Sequence, residues 1–395
     1  MGHSWCHRPL FKALAAAGHE VWFAMRSLDG AEAMFAGMNI HLRQAPRNIQ
    51  NTHDPIVPVC TYAHLLHNVL FHDVDILVRH LSAWQTLFES VQADILVTDF
   101  SPGALLASRD MCLPRVQIGS GFIVPPEVTP FPNMRFWKEV DQARLVKEEN
   151  QVLATVNAAV AMLGITPLQR LADVFATDAK ILTTFREVDH LAQRQVSEYS
   201  GLVPDNEGDL PVWPAGTGKR IFAYLKPFET LPSLLATLAQ KGNPTLVYYA
   251  GEITVELERF ACDSLHFTNN NLNITETGRQ CDIAITHAGH TTAVEFLLAG
   301  CPLLLLPLHL EQFLFAQRVV ALGAGLNAPL LKPEGMAGKL HLLLTDSRYT
   351  QAAESFAARY AHVDGGQAIN KLLAILARTG NDHSAQADAQ GQVDR

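Results

Sequence analysis

Short apolar runs alternate with longer amphipathic segments along most of this 395-residue chain, and this alternation constrains the fold more than any other feature. Runs rich in β-branched residues indicate strands, and apolar residues at three- and four-residue spacing indicate helices. The predicted strands are 19–25, 39–45, 94–99, 114–118, 220–225, 245–249, 264–267, 282–286 and 302–306. Nearly continuous apolar strands that alternate with helices are typical of parallel sheets covered on both faces. The sequence therefore predicts an α/β fold of doubly wound units.

The composition changes between about Leu202 and Gly218, where Pro, Asp, Glu, Asn and Gly accumulate. Such a segment is typical of a linker, and a chain of this length exceeds what one hydrophobic core organises. The predicted units are an amino-terminal Rossmann-like domain (1–205), a linker (206–219), a second Rossmann-like domain (220–378) and a disordered polar tail (379–395). Because open α/β sheets bind ligands beyond the carboxyl ends of their strands, we expect the site in the cleft between the two domains.

Charge and cysteine content exclude several classes of function. The net charge of −9 argues against a nucleic-acid or anionic-membrane partner, since those require clustered Lys and Arg. The six cysteines form no CxxC pair, which favours a reducing compartment. The longest apolar run, near 303–306, is far shorter than the ~20 residues of a spanning helix. These features predict a cytoplasmic protein without stable membrane insertion.

The segment 281–325 carries the most informative motif. An apolar strand ends at Thr286, a small-residue turn follows at Ala288 and Gly289, and a helix begins near Thr291. A glycine lets an anion approach the backbone, while the free N–H groups and the dipole of the helix supply partial positive charge. The pattern therefore predicts a diphosphate site.

Polar side chains flank this turn at positions suited to a nucleotide sugar. His287 and Thr292 can donate to phosphate, Glu295 can accept from ribose hydroxyls, and Glu311 with Gln312 can bind sugar hydroxyls. Structural alternatives exist for three of these signals: Thr292 and Glu295 also fit a capping box, Glu311 also favours a helix dipole, and His287 also fits a hydrogen-bonded core histidine. The joint spacing of all six positions favours the binding interpretation.

This spacing resembles the nucleotide-sugar signature of family 1 (UDP-glycosyltransferase-like) GT-B glycosyltransferases of bacterial type. The resemblance implies two Rossmann-like domains that face each other across a cleft. It also implies that Glu295 binds the ribose and that Glu311 and Gln312 bind the donor sugar. The residues that it implies for the diphosphate are His287, Gly289, Thr291 and Thr292. Departures from the plant pattern at His290, Thr291, Glu311 and Phe315 leave the donor sugar open.

A second resemblance lies at the amino end. Gly2-His3 lies sixteen positions ahead of Gly18-His19, with an amphipathic helix between the two pairs, as in the same family, so the resemblance implies His3 as general base. An imidazole with a pKa near ~6.5 can take the proton of an acceptor hydroxyl, and a carboxylate behind it fixes the tautomer. Asp99, at the end of a predicted strand, is the expected carboxylate; the alternatives are a helix cap at Asp99 and a plain terminal histidine at His3.

Two further expectations follow from the resemblance. Relatives carry a strand and a glycine-rich loop ahead of the first Gly-His pair, so we expect this sequence to lack the first strand of its sheet, through a start placed too far downstream or a genuine loss, and to leave a sheet edge open.

The loop that begins at Gly119 resembles the acceptor loop of bacterial members. Its aromatic residues, which fit an apolar acceptor wall or the core equally well, are Phe122, Phe131, Phe136 and Trp137.

The predicted function is that of an inverting, metal-independent glycosyltransferase. It would move a hexose from a UDP- or dTDP-linked sugar to a hydroxyl of a small, apolar acceptor, with the nucleotide sugar as co-substrate and no cofactor. The pair Asp73 and Asp75 mimics a metal-binding DxD motif, but it lies in an apolar-periodic helical segment. Two alternatives remain open: an inactive relative that acts as an accessory binding protein, and a nucleotide-sugar epimerase of the same fold.

Overall fold

The computed structural model describes residues 7–47, 52–191, 194, 199–328, 333–363 and 365–393. Within these residues the first lobe has strands β1 (Val21–Met25), β2 (Ile40–Gln44), β3 (Leu96–Thr98), β4 (Arg115–Gly119) and β5 (Ala179–Leu182). Its helices are α1 (Arg8–Ala16), α2 (Ala31–Met34), α3 (Tyr62–Leu66), α4 (Val74–Val91), α5 (Pro102–Ala107) and α6 (Gln142–Met162). A π-helical turn at His67–Phe71 and 3-10 turns at Leu171–Phe175 and Arg186–Val188 complete this lobe.

The strands of the second lobe form one parallel sheet in the order β11-β10-β9-β6-β7-β8. They are β6 (Ile221–Leu225), β7 (Thr245–Tyr249), β8 (Leu265–Thr268), β9 (Ile283–Thr286), β10 (Leu303–Leu305) and β11 (Gly325–Asn327). The helices are α7 (Leu231–Lys241), α8 (Val255–Glu258), α9 (Ile274–Gln280), α10 (His290–Leu298), α11 (Leu310–Ala321), α12 (Pro333–Thr345), α13 (Ser347–Tyr360) and α14 (Gly365–Val393). The predicted α/β fold with parallel sheets is confirmed.

The first lobe does not form one continuous sheet. β1 pairs only with β2, while β3, β4 and β5 form a separate three-stranded sheet, as far as the described residues show. A cavity of about 620 Å³ lies between the two sheets, lined by Val21–Ala24 on one side and Ile95–Thr98 on the other. Among the described strands, β1 and β3 therefore face this cavity with edges that pair with no other strand.

The strands of the second lobe are apolar because helices cover both faces of their sheet. Residues of β6, β9 and β10, such as Ile221, Ile285 and Leu304, are fully buried. Strands covered on both faces need apolar side chains at every position, which is why these runs do not alternate with polar residues. The carboxyl ends of β6 and β9 meet at one edge of this sheet.

The acidic pair near residue 74 lies where the helical interpretation places it. The side chain of Asp73 caps α4 by accepting a hydrogen bond from the backbone N–H of Ile76. Asp75 lies in the first turn of the helix, where a carboxylate favours the helix dipole. These two residues are therefore structural.

The last helix differs from the prediction for the chain's end. Residues Ala368, Leu372 and Ile375 of α14 pack against Leu10 and Ile118 of the first lobe, so this segment joins the core of the first lobe rather than that of the second. The predicted tail at 379–395 is also revised, because α14 continues to Val393. The apolar residues of α14 recur at helical spacing and form one face that packs on the first lobe. The Ala and Gln residues that follow have favourable helix propensity, which explains why the helix continues.

Candidate active site

A cavity of about 340 Å³ lies between the two lobes, at the carboxyl ends of their strands. The first lobe contributes His7 and Asp99 to its lining. The residues from the second lobe that were predicted to bind the donor and that line it are Gly289, Thr291, Thr292, Glu311 and Gln312. The structure therefore brings residues from both predicted motifs into one space.

His7 and Asp99 form a hydrogen-bonded pair at this cavity. His7 precedes α1 and is only 8% exposed, and its Nε2 lies 2.9 Å from Oδ2 of Asp99. Since a carboxylate only accepts, the imidazole donates its Nε2–H. Asp99 is not a helix cap, because α5 begins after Ser101 without a side-chain cap. The next residue, Phe100, has a φ of 30°, a costly left-handed conformation that fixes the turn after β3.

The predicted base, His3, lies outside the described residues. His7 was missed by the sequence reasoning, although its position one residue ahead of α1 was a signal. A helix that follows the cleft edge carries its first side chains toward that edge. Within the described residues, the imidazole that lies against Asp99 is that of His7, and the role of His3 stays a prediction.

The turn between β9 and α10 leaves open space in front of the helix. Ala288 has a φ of 59°, and Gly289 is the N-cap of α10 without a side-chain cap. A Cβ at Gly289 would meet no atom within 4 Å. The first N–H groups of a helix lack intrahelical partners, so this space is suited to an anion. Thr292 is the third residue of α10, not its N-cap, which excludes the capping box with Glu295.

His287 supports this turn. Its Nδ1 lies 2.8 Å from the carbonyl oxygen of Leu306, and its Nε2 accepts the backbone N–H of Lys226 at 2.9 Å. Both ring nitrogens are therefore used by the backbone, and burial lowers the pKa of this imidazole, which keeps it neutral. The structure corrects the predicted phosphate contact, since His287 is the hydrogen-bonded core histidine of the structural alternative.

Lys226 is a cation that the sequence reasoning missed. It follows β6 directly and lines the cavity beside Gly289 and Thr291. Its ammonium group has no hydrogen bond or ion pair with the part of the chain that the structure describes. An apolar strand followed by a lysine, at a sheet edge already predicted to bind diphosphate, was the available signal.

Glu295 is not part of the cavity lining. Its side chain is buried, and Oε2 accepts a hydrogen bond of 3.3 Å from the Thr275 hydroxyl of α9. Burial raises the pKa of Glu295 to about 8, because a buried carboxylate loses its hydration. The predicted ribose contact is therefore not brought together with the other donor residues.

Glu311 and Gln312 lie in the first turn of α11 and line the cavity, as predicted. Oε1 of Gln312 accepts the backbone N–H of Leu308 at 2.8 Å. This bond orients the amide, so the NH₂ group is the part that can donate to a ligand. A carboxylate and an amide donor side by side are suited to the hydroxyls of a sugar.

His290 links the two lobes beside the cavity. Its Nε2 lies 2.7 Å from the hydroxyl oxygen of Thr184, which follows β5 of the first lobe. The ring of His190 stacks on His290 at a centroid distance of 5.5 Å. Burial, with His290 nearby, holds the pKa of His190 well below its usual range, so its ring stays neutral.

The four predicted acceptor aromatics do not form one wall. Phe122 and Phe131 are buried in the first-lobe core, where both contact Tyr62. Phe136 and Trp137 are on the surface, 67% and 40% exposed, and Trp137 packs on Phe313 of α11. The structure therefore corrects this prediction for the two buried rings, which fill the core as the alternative foresaw.

Among the described residues, no group of three or more His, Cys, Asp or Glu side chains is placed to hold a metal ion. None of the described helices combines the length and the apolar character needed to cross a bilayer.

Comparison with known proteins agrees with this geometry. The family model of the glycosyltransferase family 28 C-terminal domain matches residues 231–364. The chain is similar to the solved structure of glycosyltransferase VinC in complex with DTDP, with a TM-score of 0.70 and 16% identity over 96% of this chain and 97% of that chain. It is similar to spinosyn rhamnosyltransferase SpnG with spinosyn aglycone, with a TM-score of 0.68 and 19% identity over 94% of this chain and 96% of that chain. It is also similar to SnogD from Streptomyces nogalater (TM-score 0.62, 18% identity, 93% and 95%).

The chain has the GT-B glycosyltransferase fold. The segment of its second lobe that is similar to the glycosyltransferase family 28 C-terminal domain includes β9, α10 and α11. A sterol 3-beta-glucosyltransferase of Vanderwaltozyma polyspora is 32% identical over 96 residues, 24% of this chain, and the chain covers 8% of that protein's length. The GT-B fold that the resemblance implies is confirmed.

Proposed function

We propose that this protein is an inverting glycosyltransferase that moves a hexose from a UDP- or dTDP-linked sugar to a hydroxyl of a small, apolar acceptor. One observation carries the proposal: a single cavity receives the His7–Asp99 pair from one lobe and the open start of α10 from the other. VinC was solved with DTDP and SpnG with an aglycone, which supports a nucleotide diphosphate and an alcohol as the two ligands.

The imidazole on Asp99 acts as general base. It takes the proton of the acceptor hydroxyl while the oxygen attacks the anomeric carbon, and the bond from this carbon to the diphosphate oxygen breaks on the opposite face. Attack from that face inverts the anomeric configuration. Asp99 stabilises the imidazolium that forms. The geometry favours His7 for this role, and the family resemblance favours His3.

The second lobe stabilises the leaving group. Negative charge grows on the diphosphate as the glycosidic bond breaks, and preorganised donors at that position lower the barrier. The N–H groups at the start of α10, the Thr291 and Thr292 hydroxyls and the Lys226 ammonium lie at the same cavity. These groups neutralise the diphosphate without a divalent cation, so we propose a metal-independent reaction without a cofactor.

The remaining lining divides between sugar and acceptor. Glu311 and Gln312 are placed for the hydroxyls of the donor sugar. Leu10, Ile118 and Ile123 line the same cavity from the first lobe and give it an apolar side, beside His7. An acceptor hydroxyl attached to an apolar body fits this arrangement.

Calorimetric titration with UDP and dTDP, followed by transfer assays with mass-spectrometric detection, tests the proposal. We expect one nucleotide to bind and His7→Ala to lower kcat by about 10²–10⁴-fold, with little change in nucleotide affinity. If His3→Ala produces this loss and His7→Ala does not, the base is His3. Absence of binding to either nucleotide contradicts the proposal. Binding without transfer favours an accessory protein, and conversion of the donor without acceptor favours an epimerase.

A further inference from the structure

Two cysteines of the second lobe lie in contact with each other. The Sγ atoms of Cys281 and Cys301 are 3.2 Å apart, although the two residues are twenty positions apart in the chain. Cys281 is the C-cap of α9, and Cys301 lies between the end of α10 and β10. Because β9 and β10 are neighbouring parallel strands, the residues ahead of them meet at the amino ends of the two strands. Neither cysteine lines the cavity of the candidate active site.

The backbone holds the two thiols in this position. The N–H of Cys281 donates to the carbonyl of Thr277 at 3.0 Å, and the N–H of Cys301 donates to the carbonyl of Phe296 at 2.9 Å. A disulfide needs about 2 Å between its sulfur atoms, so this pair closes with a movement of about 1 Å, which rotation about the Cα–Cβ bonds supplies. The fold therefore brings the two thiols within reach of a covalent bond.

The two thiols differ in exposure. Cys301 is only 2% exposed, whereas Cys281 is partly exposed. Burial, with Cys281 beside it, raises the pKa of Cys301 well above its usual range, so this thiol stays protonated. An accessible thiol with a second thiol behind it is the arrangement in which an oxidised cysteine is resolved as a disulfide. Cys112 and Cys262 are exposed as well, but within the described residues neither forms a hydrogen bond with another thiol.

We propose that Cys281 and Cys301 are a site of reversible oxidation by hydroperoxides, with a disulfide as the product. The Cys281 sulfur, as its thiolate, attacks one oxygen of the peroxide, the O–O bond breaks, and the released hydroxide takes up the thiol proton as water. Cys281 is then a sulfenic acid. The Cys301 sulfur attacks the Cys281 sulfur, and its proton leaves with the hydroxyl group as a second water. Two thiols and one hydrogen peroxide thus give one disulfide and two waters, and a dithiol reductant reverses the change.

The disulfide closes a loop that contains the candidate diphosphate site. Residues 281–301 include β9, the turn at Gly289 and all of α10. A crosslink across a loop of this length restricts the unfolded chain and so stabilises the folded segment. The two sulfurs lie at the amino ends of the strands and the cleft lies at the carboxyl ends, so the bond forms away from the cleft. This inference does not depend on the proposed transferase activity, because it needs neither nucleotide nor acceptor.

Peroxide treatment of the full chain, followed by mass spectrometry, tests the proposal. Trypsin leaves both cysteines in one peptide, 280–318, because no Lys or Arg lies between Arg279 and Arg318. The reduced protein is freed of reductant, treated with a small excess of hydrogen peroxide, and alkylated in urea before digestion. We expect this peptide to lose two hydrogen atoms and to escape alkylation, and we expect dithiothreitol to restore both thiols. A peptide that keeps two alkylatable thiols, or that gains oxygen without losing hydrogen, overturns the proposal.

Two variants test the order of the steps. In Cys301→Ala the sulfenic acid at Cys281 has no partner, so dimedone, which traps sulfenic acids, should label Cys281. In Cys281→Ala the buried Cys301 should stay a thiol. Cys262→Ala, which removes an exposed cysteine, is the control and should form the disulfide as the unchanged protein does. Labelling of Cys301 in Cys281→Ala contradicts the proposed order, and if a variant does not fold, the mass of peptide 280–318 from the unchanged protein decides the question.

The thermal midpoint tests the effect of the crosslink on stability. We expect oxidation to raise it by about 3 °C or more in the unchanged protein, and not in Cys281→Ala treated in the same way. Dithiothreitol should return the midpoint to that of the reduced protein. A midpoint that disulfide formation leaves unchanged or lowers overturns the stabilising effect proposed for this bond.

Discussion

Lys226 supplies a positive charge beside the start of α10 in the candidate site. Both ring nitrogens of His287 are hydrogen-bonded to the backbone, so this ring does not supply a charge to the ligand. Lys226 is a cation that lines the cavity beside the start of α10. We expect Lys226→Met to raise the dissociation constant for dTDP or UDP by about tenfold at low salt, with a smaller effect at high salt because ions screen the charge. Calorimetric titration at two ionic strengths measures this. Lys241→Met, at the end of α7, is the control, and an equal effect of both substitutions contradicts the prediction.

Glu295 gives the stability of the molecule a pH dependence through its buried carboxyl group. With a pKa of about 8 in the folded protein, it keeps a proton between about pH 4.5 and pH 8 that the unfolded chain releases. The folded state therefore binds more protons, and stability falls as pH rises through this window.

We expect Glu295→Gln to remove this fall, because the amide has the same shape and no titration. The difference between the two proteins is at most about 1.4 kcal/mol per pH unit within the window. Urea unfolding at about pH 5 and about pH 8 measures it. Glu258→Gln, on the exposed side of α8, should leave the pH dependence intact. Parallel pH profiles of unchanged and Glu295→Gln proteins would show that burial does not perturb this carboxyl.

At the scale of elements, a substitution at the start of α10 should change nucleotide affinity without changing stability. Gly289 has an ordinary φ of −64°, and an added Cβ would contact nothing within 4 Å. Gly289→Ala should therefore leave the thermal midpoint unchanged or slightly raised, since alanine restricts the unfolded chain. The added methyl group occupies the space in front of the first N–H groups, so nucleotide affinity should fall by about tenfold or more.

Gly338→Ala is the matched control for this prediction. Gly338 lies in α12, and an added Cβ there also meets no atom within 4 Å. We expect the same small effect on the thermal midpoint and no effect on nucleotide binding. Unchanged affinity in Gly289→Ala would mean that the diphosphate does not approach this turn, whereas a loss of stability would mean that the added methyl group disturbs the turn itself.

The elements that could be predicted from the sequence are those with a strong local signal. Strands such as β7 and β9 are apolar throughout or nearly so and contain β-branched residues, so their positions follow from the sequence to within a residue or two. β5 and β11 were not predicted because they carry Lys180, Asn327 and Gly325, which weaken the strand pattern. Their pairing comes from neighbouring strands rather than from their own residues.

The candidate site was predictable where a strand ends and a helix begins. Asp99 and Gly289 follow strands, and residues there face the cleft because the sheet edge does. Spacing alone could not place Glu295 and His287. Their environment depends on Thr275, Leu306 and the backbone of Lys226, which come from distant parts of the chain. A nonlocal contact of this kind leaves no local pattern.

At the scale of the whole molecule, α14 couples the stability of the two lobes. It follows the last helix of the second lobe but buries Ile375 in the core of the first lobe, with Val116 and Ile181. We expect Ile375→Ala to destabilise the protein by about 2–4 kcal/mol, since it leaves a cavity in that core. The loss should speed amide exchange in β4 and β5, far from α14 in sequence. Urea unfolding and hydrogen exchange measure both effects, and Leu342→Ala, at a 44% exposed position of α12, is the control. If exchange changes only in the second lobe, α14 does not stabilise the first.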